Sequence, residues 1–349
     1  MQISVIISAY NRRDFLLKAV NSVANQTLDK DLYEVIVVKN FEDKSIDETL
    51  NKLGYKNVVY DTPRYGERVA IGIEESSGDI LAFLEDDDEF KPSKLTKVHQ
   101  VFNKYKDVYY FHDTREYIYN DEVVDMGTNN PDIRNIIRVL EKITPHNEVI
   151  IDPFNKDIKS FLIKYHGIVA TTSLMAVKRE CMNDKLDLLK RIDIAVEYFI
   201  PAFSAECGKI YHTGERLTRY RIHNKNTSIG FTHEDQIRVL KYYMRLISDG
   251  ELIINNISRN NQIRNVVKLR LLEARYIMYN SPKDIKGYLK FDEHLINVLK
   301  DILELCMLRH SFKECGFNLL FTLYNSLPSE TLKRIIRSVV RSNILLKLW

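Results

Sequence analysis

Four consecutive acids, Glu85, Asp86, Asp87 and Asp88, close the apolar run Ile80 to Leu84 in the stretch DILAFLEDDDEF. Neighbouring carboxylates repel one another and lose hydration when buried, so they call for solvent, bases or a divalent cation. Further on, Arg221 and His223 alternate with Tyr220 and Ile222, which puts both polar side chains on one face of an extended chain. An arginine there offers charge-assisted binding of phosphate or support for a nearby loop. The plainer alternative for the acidic run is a solvated strand-to-helix turn.

The elements around these residues decide between the readings. The uninterrupted run 80–84 suits a strand buried on both faces of a parallel sheet, and loops at the C-terminal edge of such a sheet are where ligands usually bind. Residues 3–9 and 34–38 read as two further strands and 57–61 as a short third. Helices are expected at about 14–25, with Asp14 as its cap or in its first turn, and within 64–75. Strands and helices alternating at these lengths predict an α/β fold with a mostly parallel central sheet. One crevice would then be lined by Ala9, Tyr10, Arg12, Asn40, Asp43, Arg68 and the carboxylates 85–88. Residues 39–47 are read as a polar loop, 92–105 as a helix, 107–119 as one or two strands with a turn at Asn120 and Asp121, and 166–180 as a short strand leading into a small helix. A helix over 193–206 and strands near 209–213 and 217–222 follow. Beyond 226 the pattern changes to long amphipathic helices near 233–248, 258–280, 284–305 and 312–326.

A chain of 349 residues is long for one core and suits a main domain with an added module. With 45% apolar and 28% charged residues and only 12 Gly and 8 Pro, it belongs with folded globular proteins. The 51 basic and 48 acidic side chains nearly balance, so there is no global case for a nucleic-acid partner. Cys181, Cys207, Cys306 and Cys315 form no CxxC pair, which predicts free thiols in a reduced, cytoplasmic setting. The start MQISVIISA lacks the pattern of a signal peptide, and no apolar stretch reaches the roughly 18 residues of a membrane span.

The order of ISVIISAYNR, SGDILAFLEDDDEF and LTRYRIHNKNTS resembles an inverting family 2 glycosyltransferase of the GT-A group, over about residues 1–228. The resemblance implies a GT-A, Rossmann-like sheet flanked by helices. It divides into a nucleotide-sugar half at 1–112 and an acceptor half at 113–228, with a helical module at 229–349. It also implies transfer from a nucleoside-diphosphate sugar, with Mg or Mn at the diphosphate. On the family's pattern Asp87 is the direct metal ligand, Glu85 stands where an Asp is usual and faces the ribose or metal shell, Asp88 lies next to the donor sugar, and Asp86 is variable. The stretch KNFEDKS, from Lys39 to Ser45, departs from the usual DDGSxD and puts Lys39 or Asn40, depending on register, at the base-reading position; Asn40 is the better candidate because an amide both donates and accepts, whereas Lys only donates. Tyr10 would stack on or border the base, and Arg12 and Arg68 would contact phosphate or base.

The same resemblance implies a carboxylate base before the closing Arg-x-His segment. Asp193 fits that place, with Ile192 where a second acid is usual and Glu197 in reserve; the plain reading of Asp193 is a helix cap. His223 would approach the metal or diphosphate, with Arg221 supporting phosphate or loop, while His112, His146, His166 and His212 are surface or acceptor-site candidates. Residues 331–349 carry no acid, and Lys333, Arg334, Arg337 and Arg341 face away from Leu332, Ile335, Ile336, Val339 and Val340. That pattern fits a helix lying on an anionic membrane, which would favour a lipid-linked acceptor over another glycan, or equally a helix packed on the core or a partner copy in a homo-oligomer. The competing functions are an inactive nucleotide-sugar-binding scaffold, suggested by Lys39, Glu85 and Ile192, and a nucleotidyltransferase.

Overall fold

The structure, a computed structural model, describes residues 1–223, 226, 233–280 and 295–309. Its strands are β1 (Ile3–Ala9), β2 (Tyr33–Lys39), β3 (Lys56–Val59), β4 (Ile80–Glu85), β5 (Glu89–Phe90), β6 (Val108–Tyr119), β7 (Glu122–Val124), β8 (Val149–Ile151), β9 (Met175–Lys178) and β10 (Lys209–Arg221). The α-helices are α1 (Leu16–Ala24), α2 (Lys44–Lys52), α3 (Tyr65–Glu74), α4 (Lys94–Lys104), α5 (Pro131–Lys142), α6 (Lys159–Lys164), α7 (Leu186–Leu189), α8 (Val196–Cys207), α9 (His233–Asn256), α10 (Ile263–Tyr279) and α11 (Leu295–Arg309).

The central sheet runs β3-β2-β1-β4-β9-β6-β10-β5, with β7 beside β6 and β8 beside β10. From β3 to β4 every pairing is parallel, and all seven residues of β1 are buried, as strands covered by helices on both faces must be. β9 is inserted antiparallel between β4 and β6, and β10 then runs parallel to β6. Helix α1 buries Leu16, Ala19, Val20 and Val23, the stripe expected from its sequence.

Several local expectations are corrected. Asp14 stands ahead of α1, whose N-cap is Phe15 with no side-chain cap bond. The stretch 39–47 is not all loop: Asp43 Oδ1 accepts from the N–H of Ser45 at 3.1 Å and of Ile46 at 3.2 Å, and so starts α2. In 166–180 helical turns flank the strand on both sides, with 3₁₀ turns over 166–169 and 172–174 leading into β9 and another at Arg179–Cys181 following it. The two strands read within 209–222 are one long strand with register shifts against β6. Helix α8 begins at Val196 with Ala195 as N-cap, so Asp193 does not cap it.

Residues 1–226 and 249–267 form one compact unit, and residues 227–248 and 268–349 another. In the second unit Tyr279 packs with Ile302 and Cys306, and Asp301 binds Arg275 at 3.0 Å and the Tyr279 hydroxyl at 2.6 Å. Cys181 and Cys207 are free thiols, whereas Cys306 is disulfide-bonded, an oxidised state that cysteine spacing does not reveal. No described helix is long and apolar enough to cross a membrane. The expected helices at 312–326 and 331–349 lie outside the described residues.

Candidate active site

The parallel strands deliver their ends to one edge, and β4 brings the acidic run there. Asp86, Asp87 and Asp88 are buried and Glu85 is half-buried. Arg12, from the loop after β1, binds Asp87 and lies 2.6 Å from Asp86 Oδ1, in an ion pair that leaves this oxygen outside any aligned hydrogen bond. From the end of β10, His223 Nε2 donates to Asp87 Oδ2 at 3.0 Å, and its ring packs on Phe15 at 5.3 Å.

Arg221 ties the acidic turn to the β6–β7 turn. Its N–H donates to Asp88 Oδ1 at 3.0 Å, its Nε to the Asp87 carbonyl at 3.0 Å and its Nη1 to Asp121 at 2.6 Å, while Nη2 pairs with Glu89. Asp121 stands in the left-handed region at φ 64°, in the turn between β6 and β7, which brings it within reach.

The charges at this edge are unequal. Burial pushes the Asp86 carboxyl up to about 7 although Arg12 opposes it, and burial with Asp87 alongside pushes Asp88 up to about 8. Glu85 is raised well above its ordinary value by burial and by the charges of Asp87, Asp88 and Glu197. Asp87 is the exception: burial works against its charge, but His223 and Arg12 outweigh it and hold it below the carboxylate range. Asp87 is thus the one carboxylate of the four that its neighbours hold in the charged form, beside three that burial makes reluctant to ionise. Among the described residues no three His, Cys, Asp or Glu side chains form a preformed metal cage. The oxygen-rich set around Asp87 and His223 instead fits a cation that takes its remaining ligands from phosphate and water.

The residues expected to line a crevice at this edge are bonded largely to one another. Asn11, in the left-handed region at φ 55°, donates its N–H to Asn40 Oδ1 at 2.8 Å, and Asn40 Nδ2 donates to Asn11 Oδ1 at 2.9 Å. This reciprocal amide pair ties the β1 and β2 loops together. Lys39 is fully buried, donating to the Phe41 carbonyl at 2.6 Å and pairing with Asp47 at 2.9 Å, so it faces the core beside α2. Arg13 lies over Phe41 at 4.3 Å and reaches Asp43 Oδ2 at 3.5 Å. Tyr10 donates its N–H to Asp86 at 3.3 Å, and the buried Arg68 guanidinium stacks over its ring at 4.8 Å while bonding Ser8 and the Thr62 carbonyl. Ala9, the last residue of β1, is buried beside Lys39.

The segment 170–174 bonds both the end of β4 and the first turn of α8. Ser173 Oγ accepts from the Glu85 N–H at 3.0 Å. Thr171 adopts φ 70°, uncommon for a β-branched residue, and donates its N–H to Glu197 Oε2 at 3.1 Å. Asp193 takes part through its backbone, which bonds Tyr65 and Asp249. His112 and His212 are not surface residues: both are fully buried, 3.0 Å apart through their Nδ1 atoms, and face the carbonyls of Ala170 and Pro145. Ser173, Thr171, Asn11 and Asp249 were not singled out by sequence reasoning. Asn11 alone carried a signal, since Asn tolerates the left-handed turn after a strand.

Comparison with known proteins shows the family and the fold. A model of the family described as Glycosyl transferase family 2 matches residues 4–178. An uncharacterized glycosyltransferase of Haemophilus influenzae is 25% identical over 340 residues, covering 89% of this chain and 94% of that protein. Another, from a Nostoc species, is 29% identical over 238 residues, which is 65% of this chain and 66% of that protein. Among solved structures, the 1–349 portion of S. aureus TarS in complex with UDP-GlcNAc aligns with a TM-score of 0.54 at 15% identity, covering 88% of this chain and 80% of that one. The last likeness is one of fold.

Proposed function

Because the chain belongs to glycosyltransferase family 2, we propose that it transfers a sugar from a nucleoside-diphosphate sugar to a hydroxyl of a glycan or lipid-linked acceptor, with inversion, in one metal-assisted displacement. The observation that carries this reading is the meeting of Arg12, Asp87 and His223 at the edge where β1, β2 and β4 end. Asp87 and His223, with Glu85 beside them, would hold Mg or Mn. Such an ion, when bound, neutralises the negative charge that grows on the leaving diphosphate. Arg12 brings a second, permanent positive charge to the same edge. Asp88, fixed by the Arg221 N–H, orients the donor sugar, and the Asn11–Asn40 pair presents both a donor and an acceptor to the base.

The acceptor hydroxyl must give up its proton to a carboxylate as it attacks. Asp193 is the first candidate. A second reading favours Glu197, which is supported by its bond to the strained Thr171 and by the reach of its charge to Glu85. Asp193→Asn and Glu197→Gln separate the two: the true base loses roughly 10²- to 10⁴-fold in kcat while donor affinity holds. A cytoplasmic site of action, with the basic face of 331–349 resting on the membrane, belongs to the same proposal and predicts binding to anionic vesicles.

The primary test is a panel of nucleotide sugars, beginning with UDP-GlcNAc, assayed for binding and transfer with Mg or Mn. Metal-dependent binding lost in Asp87→Ala supports the site, and full activity in that variant overturns it. Donor binding without turnover would instead indicate a nucleotide-sugar-binding scaffold.

A further inference from the structure

The turn leading into α8 is held from two sides. The N–H groups of Tyr65 and Gly66, at the start of α3, donate to the carbonyls of Asp193 at 2.8 Å and Ile192 at 3.2 Å. From the other side the Asp249 carboxylate accepts from the N–H of Asp193 at 3.1 Å to each oxygen, of Ile194 at 2.8 Å and of Ala195 at 3.0 Å. Ala195, the N-cap of α8, makes no side-chain cap bond, and Asp249 instead binds the N–H groups of the three residues that lead into the helix. Asp249 is 3% exposed, so its carboxylate depends on these amides as much as they depend on it.

Other residues of the same segment fasten the far end of α8. Asn261 Nδ2 donates to the Ala202 carbonyl at 3.0 Å, and the Ser258 N–H to Glu206 at 2.6 Å. Only Asp249 acts at the end where the two candidate bases lie, Asp193 in the turn it holds and Glu197 in the first turn of the helix.

We propose that Asp249 is a positioning residue for sugar transfer: it fixes the 193–195 turn, and through it sets the base carboxylate at the distance the acceptor hydroxyl requires. The inference rests on the transfer reading above, and it holds whichever of Asp193 and Glu197 takes the proton. Asp249 lies outside the 4–178 stretch that matches the family model.

The test compares Asp249→Ala, Asp249→Asn and Asn261→Ala in the full chain, using the donor and metal found active for the unaltered protein. Asp249→Ala is expected to lower kcat by roughly 10- to 100-fold, the effect of a small misplacement of a reacting group, with donor KM and Kd within about twofold. Asp249→Asn keeps one acceptor oxygen and should fall between. Its kcat profile should also shift its acidic limb to lower pH, since a negative charge beside the base has gone. Asn261→Ala reports a purely structural bond to the same helix and should lower the melting temperature with kcat per folded molecule unchanged. If Asp249→Ala does not fold, the pH profile of Asp249→Asn decides. The inference is overturned if the Asp249 variants keep the kcat and profile of the parent, or lose activity only in step with donor affinity. A parent protein that binds donors and transfers none would overturn the transfer reading, and this inference with it.

Discussion

Lys94 and Asp113 form an ion pair beneath the acidic edge, 3.0 Å apart with both side chains 0% exposed. Lys94 also reaches Thr218 Oγ1 at 3.2 Å and the Ser173 carbonyl at 3.4 Å, and the Thr218 hydroxyl donates to Asp113 at 3.0 Å. Replacing Lys94 with Met keeps most of the volume but strands Asp113. Breaking a fully buried pair on one side costs about 3–5 kcal/mol. The sign of the pH dependence follows from Asp113, whose carboxyl burial pushes up to about 6 against the pull of Lys94 and Thr218. A carboxyl raised in the folded state contributes stability that is present below the ordinary range near 4 and lost as pH rises through about 6. Without Lys94 that carboxyl rises further, so the deficit of Lys94→Met should be largest at pH 8 and shrink by about 1–3 kcal/mol towards pH 5. Denaturant unfolding of variant and parent at pH 5, 6.5 and 8 measures the difference, and other titrating groups cancel in the comparison. Adding Asp113→Asn should recover part of the loss at pH 8. A deficit under about 1 kcal/mol, or one that does not change with pH, would refute the account of a desolvated pair held by mutual charge.

His212 has the opposite slope: burial lowers it to about 4, so its share, about 3 kcal/mol, is present above the ordinary histidine range near 6.5 and lost as pH falls through 4. His212→Gln should flatten the acid limb of stability measured by thermal unfolding, and an unchanged limb would show that the buried imidazole is not its source. Gly66→Ala would put a methyl group 2.6 Å from the Ile192 carbonyl and closer still to that of Leu189, both backbone atoms. It should cost about 1–3 kcal/mol and reduce turnover through the 192–195 turn, and a variant with parental stability and kcat would count against so tight an approach. Arg12→Gln frees Asp87 from a competing cation, so Mn affinity without donor should rise by about tenfold in calorimetry while donor binding weakens; weaker Mn binding would contradict the competition.

Strands β1, β2 and β4 were legible because each is dominated by apolar residues, as burial on both faces demands. Strands β6 and β10 were blurred because their middles bury His112, Asp113, Thr114, Arg115, His212 and Thr213, which read as polar breaks until the partners across the sheet are known. The acidic run and the Arg-x-His segment stood out by residue type, and the structure brings His223 to Asp87. Lys39 could not be interpreted from its neighbours: its position suggested a base contact, while its charge is answered by Asp47 one helix turn into α2. Asp249 was out of reach for a different reason, since nothing local marks a carboxylate whose amide partners lie 54 to 56 positions away.

The antiparallel β9 has a consequence for dissecting the protein. The family match stops at residue 178, the last of β9. A chain cut there would still carry Arg12 and the acidic run, but the 12-residue β6 would lose β10 along its whole flank. Its open N–H and C=O groups would then be a template for another copy, and Lys94 and Asp113 would lose the cover of Thr218. The stretch that the family model matches is therefore not the smallest working piece. Cut free at that point, it would behave as an adhesive edge, and solubility rather than catalysis would be the first property to fail.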